Sequence, residues 1–77
     1  MAKASFYVYF ADENNAKGAS ARLEDQGYKV NITTEDDGRF LAQADKAIRA
    51  HDIDKAEQEI DAVVIQFTGE YDGYSGL

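Results

Sequence analysis

Ile53, Ala56, Ile60, Val63, Val64 and Phe67 recur at the spacing of one face of an α-helix, the strongest periodicity in the chain. Asp52 or Asp54 supplies an N-cap and Gly69 a C-terminal stop. A helix with a single apolar stripe is stable only when another layer covers that stripe. With 77 residues there is room for one core, and a chain this short buries only about 60% of the surface its unfolded form exposes. The chain has no cysteine, so neither a disulfide framework nor a thiolate zinc site supplements that core. Packing has to carry the fold.

The covering layer is predicted from the rest of the chain. Ser5 to Ala11, SFYVYFA, is dense in aromatic and β-branched residues and too short for a helix, which predicts a buried strand. Asp12 then caps a second helix, with Glu13 in its first turn, Ala16, Ala19, Ser20 and Leu23 on its inner face and Gly27 at its stop. Gly18 weakens this helix by roughly 1 kcal/mol relative to alanine and, with Ala16 and Ala19, makes a thin surface suited to close approach to a sheet. Tyr28, Val30 and Ile32 alternate with polar residues, predicting a strand with one buried face. Asp36-Asp37-Gly38 is turn chemistry for a hairpin into Arg39 to Asp45. That last segment is alanine-rich and suits a helix by propensity, but the turn and the alternation of Phe40, Ala42 and Ala44 favour a strand ending near Asp45, followed by a loop. The tail GEYDGYSGL suits a short final edge strand. The order β-α-β-β-α with a last strand predicts a single α+β domain over residues 1–77, a ferredoxin-like sandwich with two helices on one face of an antiparallel sheet.

The net charge of −7 is unevenly placed. Residues 1–34 carry four acids and four bases, whereas residues 35–77 carry eleven acids and four bases. A negative field repels nucleic-acid phosphates and favours a protein partner with a basic surface. Phe6, Tyr7, Tyr9 and Phe10 would suit base stacking on a sheet, but the dispersed and outnumbered Lys and Arg residues argue against direct nucleic-acid binding. The start MAKASFYVYF lacks the features of a secretory signal and no apolar run approaches the roughly 20 residues of a membrane span. The expected location is the cytoplasm, with no membrane partner.

No catalytic constellation emerges. His51 is the one histidine, and no serine or threonine pairs with it convincingly; its place just before the long helix suits a loop or capping residue. The carboxylates of Asp52, Asp54, Glu57, Glu59 and Asp61 read as a solvated helix face rather than as an acid/base pair. Asp52-Ile53-Asp54 lacks the glycine of a calcium loop, since Glu57 stands in that place. Glu70 and Asp72 alone make a poor cation site. The expectation is a protein that is not an enzyme, with no cofactor and no metal.

FYVYF near the start, Gly27-Tyr28 before a strand, and above all Gly69-Glu70-Tyr71-Asp72-Gly73-Tyr74 after the long helix resemble the RraB family of protein regulators that inhibit ribonuclease E. The similarity spans nearly the whole chain. Family members usually end the last motif with Trp and often carry another Trp in the third strand, where this sequence has Tyr74 and Arg39-Phe40. The resemblance implies a ferredoxin-like domain, supports the strand at Arg39 to Asp45, and implies a non-catalytic role that binds the protein scaffold of the nuclease. On that reading Asp54, Glu57, Glu59, Asp61, Glu70 and Asp72 are the expected contact charges, with Tyr74 as an aromatic anchor. Two other readings use the same fold: a ligand-sensing module that forms a homodimer through its sheet, and an acidic mimic of nucleic acid that occupies a basic groove.

Overall fold

A computed structural model describes residues 2–76. Its elements are β1 (Ala2–Phe10), α1 (Glu13–Asp25), β2 (Lys29–Thr34), β3 (Phe40–Ile48), α2 (Ile53–Phe67) and β4 (Glu70–Ser75), with one 3₁₀ turn, Ala50–Asp52, before α2. The four strands form one sheet in the order β2-β3-β1-β4, every neighbouring pair antiparallel. Both helices pack on the same face, giving the ferredoxin-like α+β sandwich that the element order predicts.

Strand β1 is central, and its alternation builds the core. Ala4, Phe6, Val8 and Phe10 are buried on the helix side against Ala42, Ala44 and Ile48 of β3, with Ala16, Ala19 and Leu23 of α1 and Ala56, Ile60 and Val63 of α2 above them. Tyr7 and Tyr9 point to the other, open face. Small Ala42 and Ala44 sit where the helices close on the sheet, which explains an alanine-rich segment that is nevertheless a strand: its period is two, not 3.6. The strand runs to Ile48 rather than stopping near Asp45, because Ala47 and Ile48 stay in register with Lys3 and Ala2. Lys46 hides that continuation in the sequence by placing a charge on the inner face.

Local signals act much as the sequence suggests at α1. Asp12 caps it, accepting from the Asn14 N–H at 2.7 Å. At its end the Gly27 and Tyr28 N–H groups return to Glu24 and Leu23, a Schellman closure that puts Gly27 at φ +94°. Three expectations are corrected. The residue that ends α2 is Thr68, at φ 55°, and Gly69 instead serves close packing, since a Cβ there would lie 2.7 Å from the Phe10 ring. Gly18 faces the other helix and not the sheet: the Phe67 ring covers it, 2.6 Å from where a Cβ would stand. Finally, the inner face of β2 is only partly covered, with Val30 half-buried and Ile32 37% exposed, because β2 is an edge strand.

Candidate functional site

The acids of α2 divide by their angle around the helix axis. Asp54, Glu57 and Asp61 lie at i, i+3 and i+7, on the side turned to β4. There the Tyr71 hydroxyl donates to Glu57 Oε2 at 2.7 Å. Burial, then that hydrogen bond, then the negative charges of Glu57 and Asp61 push the Tyr71 phenol well above the usual tyrosine range, so it stays a donor. Glu59 lies on the opposite flank. It accepts from the Tyr28 hydroxyl at 2.8 Å, and Lys46 Nζ stands 3.8 Å from it. The Tyr28 phenol is raised in the same way, by burial first and then by Glu59. Glu57 and Glu59 are therefore not simply solvated. Each clamps one side of α2 to the sheet through a tyrosine.

The Gly69–Tyr74 motif explains how β4 serves this seam. Phe6 opposes Tyr74 and Val8 opposes Tyr71, so Asp72 and Gly73 together face Tyr7, a β-bulge of one extra residue on β4. Gly73 takes it up at φ +94°. Without the bulge, residues three apart would fall on opposite faces. With it, Tyr71 and Tyr74 both turn to the helix side, where Tyr74 stacks obliquely on Phe6 at 5.8 Å and remains 44% exposed.

The expected contact residues thus do not form one face. Asp54, Glu57 and Asp61 with Tyr71 and Tyr74 make one acidic and aromatic seam. Glu59 is on the far flank beside Lys46. Glu70 opposes Tyr9 and lies on the open face of the sheet, and exposed Asp72 sits at the bulge. Among the described residues no Lys or Arg comes within ion-pair distance of Asp54, Glu57, Asp61, Glu70 or Asp72. No group of three or more metal-ligating side chains gathers among the described residues. His51 is exposed in the 3₁₀ turn, 3.6 Å from the Asp52 carboxylate. Asp52 takes the N-cap position of α2 without a capping hydrogen bond from its side chain. Among the described residues no helix is long and apolar enough to cross a membrane.

The open face carries a polar group that sequence reasoning missed. Asp45, in the middle of β3, accepts from Ser5 Oγ at 2.6 Å and Gln43 Nε2 at 3.2 Å, with Lys3 3.8 Å away. Burial opposes ionisation here, but the two hydrogen bonds with Lys3 and Lys29 nearby outweigh it and hold the carboxyl below the usual range. At the other end of β3 Arg39 lies over the Tyr9 ring at 4.2 Å. The signal available in the sequence was the alternation of β1: Ser5, Tyr7 and Tyr9 fall opposite to Phe6, Val8 and Phe10. A shallow groove of about 390 Å³ beside the start of α2 is lined by Lys46, Arg49, Asp52, Lys55 and Glu59, charges of both signs.

The sequence pattern of the family described as Regulator of ribonuclease activity B, RraB, matches residues 2–75. The chain belongs to the RraB family. That match covers all six elements and the whole Gly69–Tyr74 motif, and it connects this fold with regulation of a ribonuclease rather than with catalysis. The RraB motif residues thus have a structural explanation in this chain, the closure of β4 over Phe10 and Phe6. A comparison with curated proteins returns no match.

Proposed function

We propose that the chain is a non-catalytic, cytoplasmic regulator that binds a ribonuclease, or the basic protein scaffold of ribonuclease E, through the α2–β4 seam. The observation that carries this reading is the uncompensated charge there: Asp54, Glu57 and Asp61 with no cation within ion-pair distance among the described residues, beside half-exposed Tyr74. Unpaired acids flanking an exposed ring suit an Arg-rich segment, which gives both charge complementarity and an aromatic anchor. Asp72 extends the same field at the bulge. Glu59, already facing Lys46, and Glu70, on the opposite face, fall outside this surface.

The test targets two acids whose side chains make no hydrogen bond or ion pair among the described residues. Asp54→Lys with Asp61→Lys reverses the seam while Glu57 keeps its bond to Tyr71. In a pull-down against ribonuclease E the double variant loses binding, whereas Lys3→Glu on the open face retains it, and wild-type binding weakens as salt rises. Unchanged binding by a double variant with a wild-type circular dichroism spectrum rejects this surface.

A further inference from the structure

The two edges of the sheet are protected very differently. An edge strand exposes a row of backbone donors and acceptors, and soluble proteins blunt such rows with bulges, charges, prolines or short length. The β4 edge has a bulge, Gly73 and two acids, Glu70 and Asp72. The β2 edge has no bulge, no proline and no acid within the strand. Its six residues, KVNITT, are continuous with β3 in an unshifted register, and Lys29 is their one charge.

The direction of the free groups follows from the hairpin. The Glu35 N–H donates inward to Arg39 O, so along an alternating antiparallel ladder the even residues Val30, Ile32 and Thr34 turn their N–H and C=O outward. Their side chains lie on the helix side, and Ile32 is among the few large apolar residues left exposed among the described residues.

We infer that two copies of the chain pair antiparallel through their β2 edges, about a two-fold axis at Ile32, to form one continuous eight-stranded sheet. This register sets Ile32 against the partner's Ile32 on the helix side and Val30 against the partner's Thr34, so every outward N–H of the strand meets a C=O of the partner. On the open face it places Lys29 directly opposite the partner's Glu35, and the symmetry repeats that pair at the other end. The next registers that keep both faces aligned are centred on Thr33, which sets Asn31 rather than Lys29 opposite the partner's Glu35, and on Asn31. The latter leaves Lys29 opposite a threonine and calls on Tyr28, whose N–H is already donated to Leu23 O. Charge also chooses this edge over the other: two β4 edges would bring Glu70 and Asp72 against their copies, whereas pairing through β2 keeps them at the distal ends. The inference does not rest on the ribonuclease reading, since the α2–β4 seam lies at the opposite side of the sheet and stays free in the dimer.

Sedimentation and light scattering of the full chain over a concentration series decide the matter. The expected result is a mass that rises with concentration from one chain of 8.5 kDa to twice that value. Ile32→Pro removes an outward N–H and no bond within the chain, so it gives a folded monomer. Lys29→Glu faces the partner's Glu35 with a like charge and weakens association at least tenfold, and adding Glu35→Lys restores it. A wild-type chain that stays monomeric up to its solubility limit overturns the proposal, whether or not an extended peptide of another protein adds to the same edge. A dimer that survives Ile32→Pro, or a Lys29→Glu effect that Glu35→Lys fails to rescue, overturns the edge and the register.

Discussion

Two phenols hold the flanks of α2, Tyr71 to Glu57 and Tyr28 to Glu59, and the chemistry of each pair requires the tyrosine to stay protonated. A hydrogen bond to a charged group contributes about 1.5–3 kcal/mol when shielded and less when water can replace it. Both carboxylates are half-buried, so Tyr71→Phe is expected to cost about 1 kcal/mol, and Tyr28→Phe, whose ring is buried against Phe6, somewhat more. The pH dependence has a definite sign. Both phenols titrate higher in the folded chain than in the unfolded one, so the folded state holds its protons longer and the contribution is complete below about pH 10. It is lost as pH rises from there toward the folded values. Urea titrations at pH 8 and between pH 10 and 11 should show a steeper alkaline decline for wild type than for Tyr28→Phe/Tyr71→Phe. Parallel declines would mean that the phenols are not coupled to folding.

At the scale of elements, β4 is the informative case. Its two tyrosines belong to one face only because a bulge inserts a residue between them, and its entry is fixed by the close approach of Gly69 to Phe10 and Val8. The glycines therefore fail differently when substituted. Gly69→Ala puts a methyl 2.7 Å from Phe10 and 2.9 Å from Val8 inside a packed core, an overpacking worth about 1–3 kcal/mol. Gly73→Ala meets nothing within 4 Å, so its cost is the left-handed backbone alone, roughly 1–2 kcal/mol. Urea midpoints should separate the two further: Gly69→Ala is rescued in part by Phe10→Leu, and Gly73→Ala is not. Such a bulge shows in the sequence as a glycine in a strand-like tail, but its register depends on pairing with β1, far away in the chain. The same limit explains β3. Phe40, Ala42 and Ala44 made the strand legible, whereas Lys46, whose ammonium reaches back to Gln26 O and Glu59, broke the apolar alternation and concealed the last turn of pairing.

For the whole molecule, local signals sufficed to give the layers: a 3.6-residue period in α2, caps at α1 and a turn between β2 and β3 leave few arrangements other than two helices on a sheet. What they did not give was which strand lies at the edge. Val30 and Ile32 read as a buried face, yet strand order leaves them at the rim, because α1 and α2 cover β1 and β3 more fully than the flank. The candidate site was legible as a charge excess after residue 34, but its division into a seam, a clamp and an open-face acid required the helix axis and the sheet plane. That division also governs stability. Of the acids that enter ion pairs, Asp37 and Glu13 do so at the exposed surface, where such pairs contribute little, while Asp54, Glu57 and Asp61 repel one another along one side of α2. With a net charge of −7, self-repulsion outweighs these attractions at low ionic strength. Salt near 0.1 M shortens the range of charge to about 10 Å and relieves the repulsion. The melting temperature should therefore rise with added sodium chloride, and relief of about 1 kcal/mol corresponds to roughly 4–8 °C for a domain of this size. Asp61→Asn should raise the low-salt melting temperature and shrink the salt response. A melting temperature that falls with salt would place Lys46–Glu59 and Lys3–Asp45, rather than the repulsion along α2, as the dominant electrostatic contribution.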